Sequence, residues 1–445
     1  MGSIVKLLHV SKSIGVGGCE RNIRTILRYL TAGFDQAWVA LQSDNQARSA
    51  FDLSGTRVYG LNCELGNIDE LIRQENVDAV LLHRAGKGEP VWTQLLRRLA
   101  SSRVAAIFEY NVFGLPDLTR EDRLIDVHFH KSKTSYMQFV DRARRSGYGE
   151  THKHRVLYNA LDIDNFSRNI LSSGERQEAR CTFGIGTDEL VLLRVGRPDV
   201  RKWSDFLLAA APLIFAKVPN ARIVFVGAPE SRKRWINAQG WGNRVLFWPN
   251  VADDRKLALY YQMADILIHA SRRGETFPNT VLEAFTLGLP AVVNATPWRD
   301  NSQIEIVDHM VDGIVANTPS DYAEAIEFLN GDRARRLDMG NRAVQKARKY
   351  NAHSITQRLG RCIVDTLIEK GRDLSDHPAR LENWPTLPTL EELNTYSTEY
   401  DRRLTAAWSG HRPVKGGNLA SRTYWLLKDV MEVVGYRFGR QSEWV

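Results

Sequence analysis

The chain predicts an α/β protein of two Rossmann-like halves followed by a helical tail, and three stretches carry that prediction. An apolar run, Val5 to Val10, leads into a loop with Gly15, Gly17 and Gly18 and then a helical pattern from Glu20 to Leu30. That order of strand, glycine loop and helix opens a Rossmann half. A second apolar run, Leu190 to Val195, ends at Gly196 and starts the alternation again. Further on, Ile266 to Ile268 reads as a buried strand, Thr280 to Leu287 as a helix and Ala291 to Val293 as the next strand. Gly288 supplies the left-handed residue after the helix, and Pro290 stops its continuation.

In the first half, Val77 to Leu82, Val104 to Phe108 and Val127 to Phe129 read as further buried strands between helical patterns. The first loop does not space its glycines as Gly-x-Gly-x-x-Gly, so a dinucleotide fingerprint is absent. Gly17 and Gly18 suit a close backbone approach to a ligand, and they equally suit a plain tight turn. His128, His130, His152 and His154 lack the cysteine or carboxylate spacing of a metal site and read as surface or packing residues. Tyr158 to Phe166 closes this half, and the polar run from Asn169 to Glu178 suits a linker.

The second half places Arg197 and Lys202 in the loop after its first strand. A fork-shaped guanidinium and a compact ammonium there suit a pyrophosphate. A solvated basic loop is the plainer reading, and it covers Arg201 better than the other two. Pro219-Asn220 turns the chain into strand Ile223 to Val226, and Val245 to Phe247 leads into Trp248-Pro249-Asn250-Val251. Glu275 and Glu283, with seven residues between them, flank the start of the Thr280 helix. Unpaired N–H groups at a helix start attract a phosphate, which repels a carboxylate. The two glutamates therefore suit hydroxyls of a sugar or ribose, and the combination fits a nucleotide-sugar.

Composition agrees with this reading. At 445 residues the chain has room for two or three domains, and 43% hydrophobic with 25% charged residues is ordinary for a globular protein. Cys19, Cys63, Cys181 and Cys362 form no Cys-x-x-Cys pair, which argues against a zinc site or disulfide framework and suits a reducing, cytoplasmic compartment. Met1 to Val10 is too short for a signal peptide, and no apolar run approaches the ~20 residues that span a bilayer. The net charge of +8 favours anionic partners. Without a zinc-finger or aromatic RNA-binding motif, nucleic acid is not expected.

The stretch Arg273 to Val293 resembles the retaining glycosyltransferases built of two Rossmann domains, in particular the large bacterial family 4. The resemblance rests on Glu275, Glu283, Ala284, Gly288, Pro290 and Val292-Val293. It covers residues 5–365, most specifically 190–315. It implies the GT-B architecture, two Rossmann-like domains facing a central cleft, with residues 1–168 on the acceptor side and 169–350 binding the nucleotide-sugar. Residues 351–375 become a helix returning towards the first domain, and 376–445 a helical extension. By the same resemblance Glu275 holds donor-sugar hydroxyls and Glu283 the ribose. Arg197 and Lys202 match a Gly-Arg…Lys element for the diphosphate, and Gly17-Gly18-Cys19-Glu20 is similar to a Gly-Gly-x-Glu turn facing the donor. Asn250 and Val251 fall in the loop that cradles the base, and Phe277, Asn279 and Thr280 fall at the helix start beside the phosphates.

Two departures stand out. Thr276-Phe277-Pro278 replaces a common Gly-Phe-Gly, and Pro278 removes one N–H donor. Where many relatives carry a His after the Val104 to Phe108 strand, this chain has Glu109, which could accept a sugar hydroxyl or an acceptor proton. Asp162-Ile163-Asp164 resembles the family's interdomain linker more than a metal-binding Asp-x-Asp. The resemblance therefore implies a metal-independent transferase with no cofactor, a nucleoside-diphosphate-sugar donor and a glycan or lipid-linked acceptor. Rivals are an epimerase or phosphorylase on the same fold, or a non-catalytic nucleotide-binding protein.

Beyond Lys370 the resemblance ends. His377 to Pro388 reads as a connector and Thr389 to Trp408 as a polar helix. Asn418 to Phe438 combines Trp425, Leu426, Val430, Val434 and Phe438 with Arg422, Lys428 and Arg437. It suits a helix packed on the other lobe or on a second copy of the chain. The alternative is peripheral contact with an anionic membrane, which Asp429 and Glu432 disfavour.

Overall fold

A computed structural model describes residues 3–15, 17–42, 56–62, 64–199, 203, 205–251, 253–271, 273–296 and 300–409. It divides into two compact units. The first holds the described residues up to Asp162 together with Tyr350–Ser397, and the second holds Ile163–Lys349 with the described residues from Thr398 onward. The division falls between Asp162 and Ile163, inside the stretch read as a linker, and not at residue 168.

The first unit is built on a parallel sheet of β1 (Val5–Ser11), β2 (Phe34–Ala40), β3 (Arg57–Gly60), β4 (Ala79–Arg84), β5 (Ala106–Asn111), β6 (Val127–His130) and β7 (His154–Val156). Its order is β3-β2-β1-β4-β5-β6-β7, so the winding reverses between β1 and β4. Alternate residues serve opposite faces. Leu7, Leu81, Phe108 and Phe129 pack against Ile26 and Leu30 of the Gly18–Tyr29 helix and Leu359, Ile363 and Leu367 of the Ala352–Glu369 helix. Leu8, Val10, Val80 and Leu82 pack on the other side, against Ile68, Trp92 and Leu95.

In the second unit, β8 (Leu190–Val195), β9 (Ala221–Val226), β10 (Val245–Trp248), β11 (Ile266–His269), β12 (Ala291–Val293) and β13 (Gly313–Val315) form another parallel sheet. The order is β10-β9-β8-β11-β12-β13, with the reversal between β8 and β11. Leu192, Phe225, Ile266 and Ile268 lie in its core with Ile214, Tyr322 and Leu329. The helix between β11 and β12 runs Asn279–Thr286, and Gly288 follows it at φ +75°, the left-handed residue expected there.

One expectation is corrected. The run from Asn169 to Glu178 is not all linker, because Ser173–Thr182 is a helix. Its signal is a capping box: Ser172 Oγ accepts from the Glu175 N–H at 3.3 Å, and Glu175 accepts from the Ser172 N–H at 2.8 Å. Arg176 then donates to the carbonyls of Gln262 and Ala264 at 2.7 and 2.9 Å, tying the helix down. In the C-terminal extension, a short Pro378–Leu381 helix lies within the connector and the polar helix runs Leu390–Ser409. Asn418 to Phe438 lies outside the described residues. Among those described, no helix is long and apolar enough to cross a membrane.

Candidate functional site

In a doubly wound sheet, ligands gather beyond the strand carboxyl ends where the strand order reverses. The reversal between β8 and β11 brings Arg194 and His269 together. Arg194 is 2% exposed and His269 2% exposed, and Arg194 Nη1 lies 3.2 Å from His269 Nδ1. A guanidinium only donates, so Nδ1 accepts and the ring proton resides on Nε2. That nitrogen faces Glu275 Oε1 at 3.5 Å, and Thr280 Oγ1 stands 3.3 Å from Nδ1. Trp203 lies over the guanidinium at 5.3 Å. Burial lowers the Arg194 pKa while Glu275 opposes that shift, so the arginine and the glutamate are electrostatically linked.

Glu275 is fixed through its backbone as well. Its N–H donates to Gln303 Oε1 at 3.2 Å and its carbonyl accepts from the Ser302 N–H at 2.9 Å. Gln303 is itself held by the Asn294 carbonyl at 2.9 Å and Thr296 Oγ1 at 2.8 Å. Gly274, at φ +68°, sits so close to the Asp300 carbonyl that an added Cβ would lie 1.4 Å from its oxygen. Only glycine permits this approach. The Glu275 backbone is thus held in place, and its half-buried carboxylate is suited to accept hydroxyl donors.

The Asn279–Thr286 helix follows, with Pro278 as its N-cap and no side-chain capping bond. Phe277 is buried, while Asn279 and Thr280 are half-buried beside that start. Glu283 lies one turn further in, 1% exposed, and accepts from the Tyr261 hydroxyl at 2.8 Å. If this carboxylate also receives ribose hydroxyls, Glu283→Gln should weaken nucleoside-diphosphate affinity by about ten- to hundredfold. Calorimetry with the free nucleotide measures it, and unchanged affinity confines Glu283 to its bond with Tyr261.

Arg197 is exposed just past β8, its carbonyl accepting from Trp203 Nε1 at 2.8 Å. Lys202 lies outside the described residues. Asn250 is exposed past β10 and Val251 half-buried. Asn250 borders Gly227, whose added Cβ would lie 3.3 Å from the Asn250 Cβ and 2.2 Å from the Gly196 carbonyl. The ends of β8, β9 and β10 therefore meet closely on this side. The residues that sequence reasoning missed here are Arg194, His269 and Tyr261. Arg194 left a trace, as the one charged residue in the run Leu190 to Val195.

In the first unit Gly17 is the buried N-cap of the Gly18–Tyr29 helix, which has no side-chain capping bond, and Gly18 is exposed. Glu109 has a different task from the one expected. It is 0% exposed on β5, paired with Arg84 Nε at 2.8 Å and bonded to His128 Nδ1. Arg84 also reaches Asp117 at 2.6 Å and Asp122 at 3.1 Å. Burial pushes the Glu109 carboxyl up, but Arg84 and His128 outweigh it and hold the pKa at about 2. A carboxylate sealed and paired in this way cannot serve a sugar. Glu109, Asp122 and His128 do offer ligand atoms within 4.8 Å of one another, as in a metal site, yet the cation they surround is Arg84. The histidines beside it are interior: His130 Nε2 is 2.9 Å from His154 Nδ1, and His154 Nε2 is 3.0 Å from the Tyr148 hydroxyl. Only His152 of the four is exposed. Asp162 is buried and receives Arg28 and the Tyr29 hydroxyl, so its carboxylate is already engaged.

Residues 189–332 match the family described as Glycosyl transferases group 1. The chain is 30% identical over 246 residues to D-inositol 3-phosphate glycosyltransferase 2 of Catenulispora acidiphila, covering 52% of this chain and 55% of that protein. It is 28% identical to the Mycolicibacterium smegmatis D-inositol 3-phosphate glycosyltransferase, covering 51% and 49%. The chain thus spans about half the length of the curated relatives it matches. Among solved structures, Anabaena HepE in complex with UDP and glucose superposes with a TM-score of 0.66 at 16% identity, covering 81% of this chain and 100% of that one. A Rickettsia africae glycosyltransferase gives 0.67 at 13% identity, covering 83% and 99%. Residues 189–332 are thus similar to the Glycosyl transferases group 1 family, and the chain's two parallel sheets share the GT-B fold of these solved structures.

Proposed function

We propose that the protein is a retaining glycosyltransferase that moves a sugar from a nucleoside-diphosphate sugar to a hydroxylated acceptor, glycan or lipid-linked, without a metal. The observation that carries this reading is the Glu275 carboxylate on an anchored backbone at the β8–β11 reversal, beside the start of the Asn279–Thr286 helix, which has no side-chain cap. HepE was solved with UDP-glucose, so uridine nucleotides are the first donors to test. Glu275 orients the sugar through its hydroxyls. Arg197, Lys202 and the helix start meet the charge that develops on the leaving diphosphate, and such preorganised electrostatics is usually the largest catalytic term. The bond from the anomeric carbon to the diphosphate oxygen breaks as the acceptor oxygen bonds that carbon on the same face. The acceptor proton passes to the leaving phosphate. The net charge of +8 accords with a cytoplasmic enzyme that meets anionic acceptors or membrane surfaces peripherally.

A divalent ion in other transferases bridges the diphosphate oxygens. Here two side-chain cations and backbone N–H groups serve that purpose, while Asp162 is committed to Arg28 and Tyr29. Initial rates in excess EDTA should stay within about threefold of those with magnesium, less than ~0.7 kcal/mol in barrier. Abolished activity, restored by magnesium or manganese, would falsify the metal-independent mechanism.

A further inference from the structure

The segment that anchors the Glu275 backbone is itself gripped from the C-terminal extension. Gln303 Oε1 takes the Glu275 N–H, and Ser302 donates its N–H to the Glu275 carbonyl and its hydroxyl to the Thr276 carbonyl, the latter at 2.8 Å. Gln303–Ile306 forms a helix of only four residues. A single turn is not stable alone in water, and its last carbonyls find no partner within it. Arg403, on the Leu390–Ser409 helix, supplies that partner: its Nη1 donates to the Ile304 and Glu305 carbonyls at 3.2 and 3.4 Å.

Charge and helical spacing build this grip. The Arg403 guanidinium also pairs with Asp308, just past the short helix, and with Glu399 at 2.7 Å, one turn earlier on its own helix. Lys346 meets the same Asp308 at 2.6 Å. Burial pushes the Asp308 carboxyl up, but Lys346 and Arg403 outweigh it and hold it below the usual carboxylate range. Asp308 is therefore ionised at neutral pH, and its pair with Arg403 stays charged. Tyr400 stands three residues before Arg403, which puts both on one face of the helix. Its hydroxyl accepts from Asn301 Nδ2 at 3.0 Å. Asn301 is buried, and its Oδ1 accepts from the Thr296 N–H at 2.8 Å. All of these residues belong to the second unit, and Tyr400 and Arg403 lie beyond the residues 189–332 that match the family.

We propose that Tyr400 and Arg403 are positioning residues for Glu275. They hold Asn301 and the Gln303–Ile306 helix, and that segment sets the place from which the Glu275 carboxylate meets the donor sugar. A side chain that binds substrate acts at full effect only when its own supports are locked. This rests on the glycosyl-transfer reading and gives the extension a part in it past Lys370, where the resemblance ends.

The test is a double-mutant cycle in the full chain, with Arg403→Met, Glu275→Gln and the two combined. Arg403→Met should slow sugar transfer by about ten- to a hundredfold, the cost of displacing a site residue from a distance. Nucleoside-diphosphate affinity should stay within about threefold, because the ribose and phosphates are met from the Asn279–Thr286 helix. The combined variant should be at most about twofold slower than Glu275→Gln alone, since two residues that act through one group do not add. Hydrogen exchange reads the position itself: the Glu275 N–H should exchange about tenfold faster in Arg403→Met. Arg403→Lys keeps the charge beside Asp308 and should recover part of both losses. Should Arg403→Met not fold, Tyr400→Phe, which removes only the hydroxyl, must give the same pattern in smaller measure. Additive losses in the cycle, unchanged exchange at Glu275, or a fall in nucleotide affinity as large as that in transfer would overturn the proposal. If the wild-type chain transfers no sugar, the glycosyl-transfer reading fails, and exchange at Glu275 still decides whether Arg403 holds it.

Discussion

Arg84→Met should destabilise the protein by roughly 3–5 kcal/mol, the scale of breaking a buried charge network by removing one partner. Arg84 is the cation shared by Glu109, Asp117 and Asp122, and its side chain is fully buried. Removing it leaves three buried carboxylates near one another with too little positive charge. Some will protonate, so the loss should be greatest above neutral pH and smaller in mild acid. In the wild type Glu109 is charged at both pH 5 and pH 8, because its folded pKa lies at about 2. The difference between those values therefore comes from the variant, where carboxylates that have lost Arg84 are costlier ionised at pH 8 than partly protonated at pH 5. Denaturant midpoints at pH 5 and pH 8 measure both effects. A variant as stable as wild type at pH 8 would mean that the network is solvated, and Glu109 would return as a candidate for the site.

Lys202→Ala should depress turnover by roughly one to three decades, the size of losing one contact to developing transition-state charge. Lys202 lies outside the described residues, so the expectation rests on its spacing from Arg197 in the loop after β8. The variant should stay folded, which a thermal midpoint measured beside the rate checks. Near-normal turnover at saturating donor removes Lys202 from the site and leaves Arg197 and the helix start to carry the diphosphate.

The parts of the fold that could be read directly are those whose signal is local. Val5 to Val10, Leu190 to Val195 and Ile266 to Ile268 are mostly apolar, broken by Lys6, His9 and Arg194, because parallel strands are covered on both faces. The helix before Gly288 could be placed because its start and stop are written in adjacent residues. The Ser173–Thr182 helix was hidden by a polar surface, although its Ser-x-x-Glu box was present. Site residues divide in the same way. Glu275 and Glu283 belong to one short segment and carry a recognisable spacing. Arg194 and His269 are 75 residues apart and meet only because β11 inserts beside β8. Glu109 lies inside β5 and not past its end, and its contacts are set by Arg84 and His128, which arrive from β4 and β6. Sequence position gives each residue its strand end, and strand order decides which residues meet there.

On the proposed function, a sugar leaves a nucleoside diphosphate at Glu275 and reaches an acceptor hydroxyl. The most direct measurement follows isotopically labelled sugar from a panel of nucleoside-diphosphate sugars, with and without hydroxylated acceptors, in wild type and in Glu275→Gln. With a competent pair, labelled glycoside and free nucleoside diphosphate should form in equal amounts, with the anomeric configuration of the donor kept. Glu275→Gln should slow that formation by about ten- to a thousandfold, the range for one transition-state contact. Donor recovered unchanged in every pairing, donor converted to an isomer, or transfer at wild-type rates in Glu275→Gln would contradict the account.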